Sequence, residues 1–172
     1  MTIRVLGIDP GLAHCGLAIL DGVTVVEAHT FVTKPSTKKQ HVHVSHDTIR
    51  RARELSGRLR YLMMGIHIVA IEGISMPRHA SSAGKLCLAF GVIASLCESL
   101  GLPLIQFSPQ EVKAYFGTKK GKDTRVEKAM EMYPHLFKGT LAEWREHMAD
   151  AIGVAHLATR DSMYLAMRQH NG

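Results

Sequence analysis

Apolar positions come first in continuous runs and later at helical spacing, and that order predicts the architecture. Thr2 to Ile8 is a short, mostly apolar run, and Asp9-Pro10-Gly11 ends it with two residues that enforce a turn. Gly16 to Leu20 and Val23 to Val32 are two more such runs, joined across Asp21-Gly22, a strong hairpin signal. The chain is therefore expected to open as an antiparallel meander. Lys34 to Gln40 is polar and basic and reads as a loop. Asp47 to Met64 reads as a helix, with Ile49, Leu55, Leu59 and Leu62 on its apolar side and Arg50, Arg51, Arg53, Arg58 and Arg60 on the other. Ile66 to Ile71 is apolar except at His67, which suits a strand covered on both faces, as in parallel sheets.

Ser81 to Leu100 is a long helix carrying Leu86, Leu88, Ala89, Phe90, Val92, Ile93, Leu96 and Leu100 around most of its circumference. Such a helix is expected to be covered on more than one side, by the sheet and by either another helix of the same chain or a second subunit. Pro103 to Phe107 reads as a short strand. Ser108-Pro109-Gln110-Glu111 then opens a helix, with Ser as cap, Pro in the first turn and Glu three residues on. Helices over Asp123 to Tyr133 and Glu143 to Arg168 complete the chain. The order β-β-β-α-β-α-β-α-α-α predicts a mixed sheet with helices packed on it, an α/β domain. At 172 residues, one domain over 1–172 is expected.

Composition narrows this further. Hydrophobic residues make up 46%, enough for a core and against a disordered chain. No apolar run of about 20 residues is read, so no membrane span is expected, and the N-terminus lacks the pattern of a secretory signal. Cys15, Cys87 and Cys97 cannot all pair within the chain, and Cys87 and Cys97 lie about 15 Å apart on one helix. Reduced thiols and a cytoplasmic location are expected. The net charge of +6 favours an anionic partner without indicating any chemistry.

The chemistry lies in acidic residues at unusual places. Asp9 and Glu72 each close an apolar strand, and Gly follows each within two residues. A carboxylate at the end of a buried strand is costly unless a cation compensates it. If the two strands are parallel neighbours, both carboxylates emerge at one sheet edge, where α/β folds bind ligands. With no obvious buried Arg or Lys partner, the pair points to a divalent metal. His147 and Asp150 are three apart on one helix face. Small neighbours, Ala149, Ala151, Gly153 and Ala155, would let that helix lie close to the sheet and bring His147 and Asp150 to Asp9 and Glu72.

Gly7-Ile8-Asp9-Pro10-Gly11, Ala70-Ile71-Glu72 and His147-Met148-Ala149-Asp150-Ala151 are ordered and spaced so that the chain resembles the RuvC family of Holliday junction resolvases. Pro103 to Lys113, with Ser108-Pro109 and Val112-Lys113, is similar to that family too, so the likeness covers most of the chain. It implies an RNase H-like fold with a five-stranded mixed sheet flanked by helices. It also implies a metal-dependent endodeoxyribonuclease that resolves four-way DNA junctions by paired symmetric nicks. Asp9, Glu72 and Asp150 match family carboxylates, and His147 falls where members carry Asp or His. Two Mg²⁺ ions are implied, about 3.5–4 Å apart in such sites, and the nitrogen of His147 should make one site tolerant of Mn²⁺. Lys113 matches a functional family lysine. The implied partners are branched DNA, a second copy of the chain and, in a bacterial member, branch-migration proteins. The implied setting is the cytoplasm of a bacterium or of a phage-infected cell.

The chain also departs from the family. The family has a Gly-x-Gly loop and then a Lys at the position of Asp123, whereas this chain has Lys119-Lys120-Gly121-Lys122, in which Lys122 would substitute with a shift of one residue. An aromatic that contacts bases near Ser75 is missing, so that role is lost or passes to Met76 as an apolar wedge. Arg78, Lys85, Lys119, Lys120 and Lys122 are candidate DNA contacts. Eight Lys or Arg lie between Lys34 and Arg60 and six between Lys113 and Lys128, two basic segments around an acidic centre. The His41-Val42-His43-Val44-Ser45-His46 tract alternates as a short strand or an ordered loop would. Two other functions remain open from sequence: a broader nuclease for branched DNA or RNA/DNA hybrids on the same fold, and a catalytically silent junction-binding protein.

Overall fold

The computed structural model describes residues 2–37, 43–74, 79–117 and 124–170. Its elements are β1 (Arg4–Asp9), β2 (His14–Asp21), β3 (Thr24–Val32), α1 (Val44–Leu62), β4 (Ile68–Glu72), α2 (Ala80–Leu100), β5 (Leu104–Phe107), α3 (Pro109–Tyr115), α4 (Arg125–Met132), α5 (Ala142–Ala158) and α6 (Ser162–His170). The five strands form one sheet in the order β3-β2-β1-β4-β5. β1, β2 and β3 pair antiparallel around Asp21-Gly22, while β4 joins β1, and β5 joins β4, in parallel. The expected α/β architecture with a mixed five-stranded sheet is what forms.

Alternation along the central strands sorts their side chains into two cores. Val5, Ala18, Leu20, Ile68 and Ala70 face α5, while Leu6, Ile8, Leu17, Ile19, Val69 and Ile71 face α1 and α2. Because the side-chain period of a strand is two, a strand whose every position is apolar can fill both layers at once. This explains the continuous apolar run of β4. α5 crosses β1 to β4, and residues Met148 to Ala155 are all buried. Its small residues permit the approach. A Cβ on Gly7 would lie 2.3 Å from the Ala151 carbonyl oxygen, and one on Gly16 would lie 2.0 Å from that of His147.

The structure corrects several sequence expectations. Arg51, on the side of α1 opposite the apolar positions, is nonetheless buried, and its Nε donates to Thr33 Oγ1 at 2.9 Å. Conversely Ile49, expected on the apolar side, is 55% exposed. Of the His tract, His43 caps α1 and helix begins at Val44, so His43 to His46 form no strand; His41 and Val42 lie outside the described residues. The single terminal helix is two. Thr159 caps α5, and the Asp161 carboxylate accepts from the Met163 N–H at 2.8 Å, which starts α6. Side-chain oxygens that bond local backbone in this way compete with helix continuation. Finally, α2 is by length and composition apolar enough to cross a membrane, against the expectation that no such run exists. Here Ala89, Ile93, Leu96 and Cys97 of α2 are buried in the layer shared with α1, and Leu88, Phe90 and Val92 are half-buried.

Candidate active site

One step beyond the Ile8–Ile71 pair, β1 and β4 end on Asp9 and Glu72, at the same edge of the sheet. α5 lies across that edge and delivers His147 and Asp150, and α3 delivers Lys113. All five line one cavity of about 410 Å³, walled also by Pro10, Leu86, Phe90 and Pro109. The convergence expected from three distant segments is thus present. The Ser108–Glu111 capping box orients α3 and with it Lys113: Ser108 takes the Glu111 N–H, and the Glu111 carboxylate takes the Ser108 N–H at 2.7 Å.

The donors are already engaged. His147 Nδ1 and Asp9 Oδ2 share a 2.6 Å hydrogen bond, and His14 at the start of β2 lies beside the His147 ring, 5.5 Å between centroids. Asp150, only 5% exposed, pairs with the guanidinium of Arg125, which also reaches Glu146 at 2.8 Å. The sequence offers no obvious buried Arg or Lys partner for Asp9 and Glu72, and the structure places one on their neighbour Asp150: Arg125. Sequence reasoning missed it because 25 residues separate it from Asp150, with no shared period. The one available signal was an Arg in the first turn of a helix, where the positive end of the dipole disfavours it unless carboxylates wait nearby.

Burial sets the electrostatics. Desolvation, then the charges of Asp150 and Asp9, push the Glu72 carboxyl up to about 8, against the pull of Arg125 and Lys113. Desolvation likewise pushes Asp150 up to about 7, with Arg125 opposing it and Asp9 adding to it. The bond to Asp9 raises His147. Carboxylates held together at the cost of mutual repulsion form a donor set that a divalent cation relieves, with hard oxygens and one imidazole. Among the described residues, no three His, Cys, Asp or Glu side chains are arranged to hold an ion together, and Asp9 and Asp150 are engaged by His147 and Arg125.

A pH dependence follows. All three groups have folded values raised above their ordinary ones, so the stabilisation they carry is full at low pH and lost as pH rises through the folded values. His156, which burial lowers to about 4, acts in the opposite direction, but only below its ordinary value of 6.5. Urea unfolding of the chelator-treated protein should therefore show stability falling from about pH 4.5 to about pH 8, with His156 offsetting part of the fall below 6.5. The decline should be shallower in Glu72→Gln.

Ser75, Met76, Arg78, Lys119, Lys120 and Lys122 lie outside the described residues. Lys85 is exposed on α2, beside the cavity-lining Leu86.

Residues 5–157 match the family model of the crossover junction endodeoxyribonuclease RuvC. Among curated relatives, the crossover junction endodeoxyribonuclease RuvC of Stenotrophomonas maltophilia is 29% identical, with 96% of each chain covered. That of Thermomicrobium roseum is 27% identical over 89% of this chain and 90% of its own. Among solved structures, Thermus thermophilus RuvC in complex with a Holliday junction substrate superposes with a TM-score of 0.65 at 21% identity, covering 90% of this chain and 91% of that one. The yeast mitochondrial Holliday junction resolvase superposes with a TM-score of 0.61 at 16% identity, covering 90% and 76%. These likenesses establish the RNase H-like resolvase fold, and the match over 5–157 establishes the lineage: the chain belongs to the family of the crossover junction endodeoxyribonuclease RuvC.

Proposed function

We propose that this chain is a structure-specific endodeoxyribonuclease that resolves four-way DNA junctions by paired symmetric nicks. The observation that carries the reading is the convergence of Asp9, Glu72, His147 and Asp150 from β1, β4 and α5 into one cavity beside Lys113. Nucleases of this family are metal-dependent. The donor set here suits two Mg²⁺ ions, with Mn²⁺ able to substitute. Asp9, Glu72, Asp150 and His147 would hold them. When bound, such ions lower the pKa of attacking water and neutralise charge on the leaving oxygen. The chain's own residues do the rest. Asp9 fixes the His147 ring through the 2.6 Å bond, and Lys113, which lines the same cavity, supplies positive charge for a backbone phosphate. Leu86 and Phe90 give the same cavity an apolar wall.

A two-fold junction cut on opposite strands calls for two sites, and α2 supports a dimer. Its Leu88, Gly91, Val92, Ser95, Leu96 and Ser99 line an open groove with Ser56 of α1, apolar and small enough for a second copy's helix to approach. The three free cysteines suit a reducing, cytoplasmic setting.

The decisive experiment offers a synthetic four-way junction, a fork, a nicked duplex and an RNA/DNA hybrid, each with and without Mg²⁺ or Mn²⁺. Paired symmetric nicks on the junction, absent with Glu72→Gln, are expected. Equal cutting of every substrate would replace the reading with a broader nuclease, and binding without cutting would replace it with a silent binder. Sedimentation at micromolar concentration should show a dimer, and Val92→Glu should shift it to monomer; a wild-type monomer would remove the two-site geometry.

A further inference from the structure

The cation inside the acidic cluster is protein. Arg125 is 6% exposed, its Nη1 bonds Asp150 Oδ1, and its Nη2 reaches Glu146 Oε1 at 2.8 Å. Glu146 and Asp150 stand one turn apart on α5, so the planar fork spans both carboxylates. These two carboxylate anchors on α5 are unequal. The Glu146 side chain is 62% exposed and that of Asp150 only 7%. The strong end of the fork is therefore the one that occupies a donor of the nuclease site. Arg125 lines the same cavity as Asp9, Glu72 and His147, so its charge faces the space an incoming cation must enter.

From this geometry we infer that Arg125 is a resident cation that holds Asp150 in the metal-free protein and must yield that carboxylate oxygen for divalent metal to load. The inference rests on the metal-dependent reading of the site. An ion drawing on Asp150 would take the place of Nη1, because keeping both would leave two cations on a single carboxylate. Loading is therefore opposed by the guanidinium, while the fork keeps its link to α5 through Glu146. The device keeps α4 and α5 joined when no metal is present and sets a threshold concentration for activation. Arg125 is thus a positioning residue for Asp150.

The test measures Mn²⁺ uptake by the full chain, by calorimetry and by the electron paramagnetic resonance signal of free Mn²⁺. Arg125→Gln is expected to bind Mn²⁺ at least about tenfold more tightly than wild type, and Arg125→Lys to stay near wild type. Lys113→Gln removes a charge that lines the cavity without bonding Asp150, and should tighten binding less than about threefold. Equal or weaker binding by Arg125→Gln, or an equal gain in Lys113→Gln, would overturn the competition. Should Arg125→Gln fail to fold, Mg²⁺ titration of arginine-¹⁵N-labelled wild type decides. The Nη resonances assigned to Arg125 by their absence from Arg125→Lys should shift as metal loads, and a fixed signal overturns the inference. A wild type that binds Mn²⁺ without these effects sinks only the role of Arg125, whereas one that binds no metal sinks the metal-dependent reading as well.

Discussion

Asp9→Asn is expected to reduce junction cleavage more than about a thousandfold, some 4 kcal/mol of transition-state stabilisation, while junction binding stays near wild type. Asn has the shape of Asp and can still accept the His147 hydrogen bond now made at 2.6 Å. What it loses is the charge, and the proposed metal holding depends on charge. The same substitution removes one of the repulsions that raise Glu72 and Asp150, so the unfolding midpoint of the metal-free protein should hold or rise. Cleavage lost with stability retained separates a chemical role from a structural one. Measurable nicking by Asp9→Asn at saturating Mg²⁺ would remove Asp9 from the catalytic set.

The second large effect is expected at Gly16, which sits opposite Asp9 in the β1–β2 ladder. A Cβ there would lie 2.0 Å from the His147 carbonyl oxygen and 2.5 Å from its carbonyl carbon. Both are backbone atoms of α5 and cannot swing aside, so the helix itself must move at the residue that bonds Asp9. Gly16→Ala should cost about 3 kcal/mol, the upper part of the range for overpacking. A displacement near 1 Å at the site should lower cleavage about a hundredfold. Gly57→Ala is the matched control. Gly57 lies in α1, and a Cβ added there would meet nothing within 4 Å, so Ala should stabilise by about 0.5–1 kcal/mol through helix propensity alone. Urea unfolding and single-turnover cleavage of the two variants check both statements. A Gly16→Ala protein as stable and active as wild type would mean that α5 does not rest on β2 as described.

Most of the strand and helix pattern could be read from the chain because it depends on local periodicity. The hairpin at Asp21-Gly22, the doubly apolar β4 and the capping box at Ser108 are each signalled within a few residues. Expectations failed where a distant partner overrode the local pattern. Arg51 falls opposite the apolar side of α1 by periodicity, but Thr33, 18 residues away, gives it a buried oxygen. Ile49 reads as core, yet α1 turns it outward. The break between α5 and α6 was missed because Thr159 and Asp161 end a helix through side-chain bonds that leave little mark on hydrophobic spacing.

For the site, the sequence by itself determined which chemistry is available: carboxylates closing apolar strands, a His and an Asp on one helical turn, and small residues to bring that helix close. These are local facts of composition and period. Only the tertiary structure decided how those groups are occupied. Folding places Asp9 against His147 and sets Arg125, from another helix, on Asp150. Burial then raises Glu72 and Asp150, because their charges share one poorly solvated cleft. No periodicity encodes a contact between residues 25 or 138 positions apart; packing across the sheet edge creates it, and with it the balance between protein cation and metal.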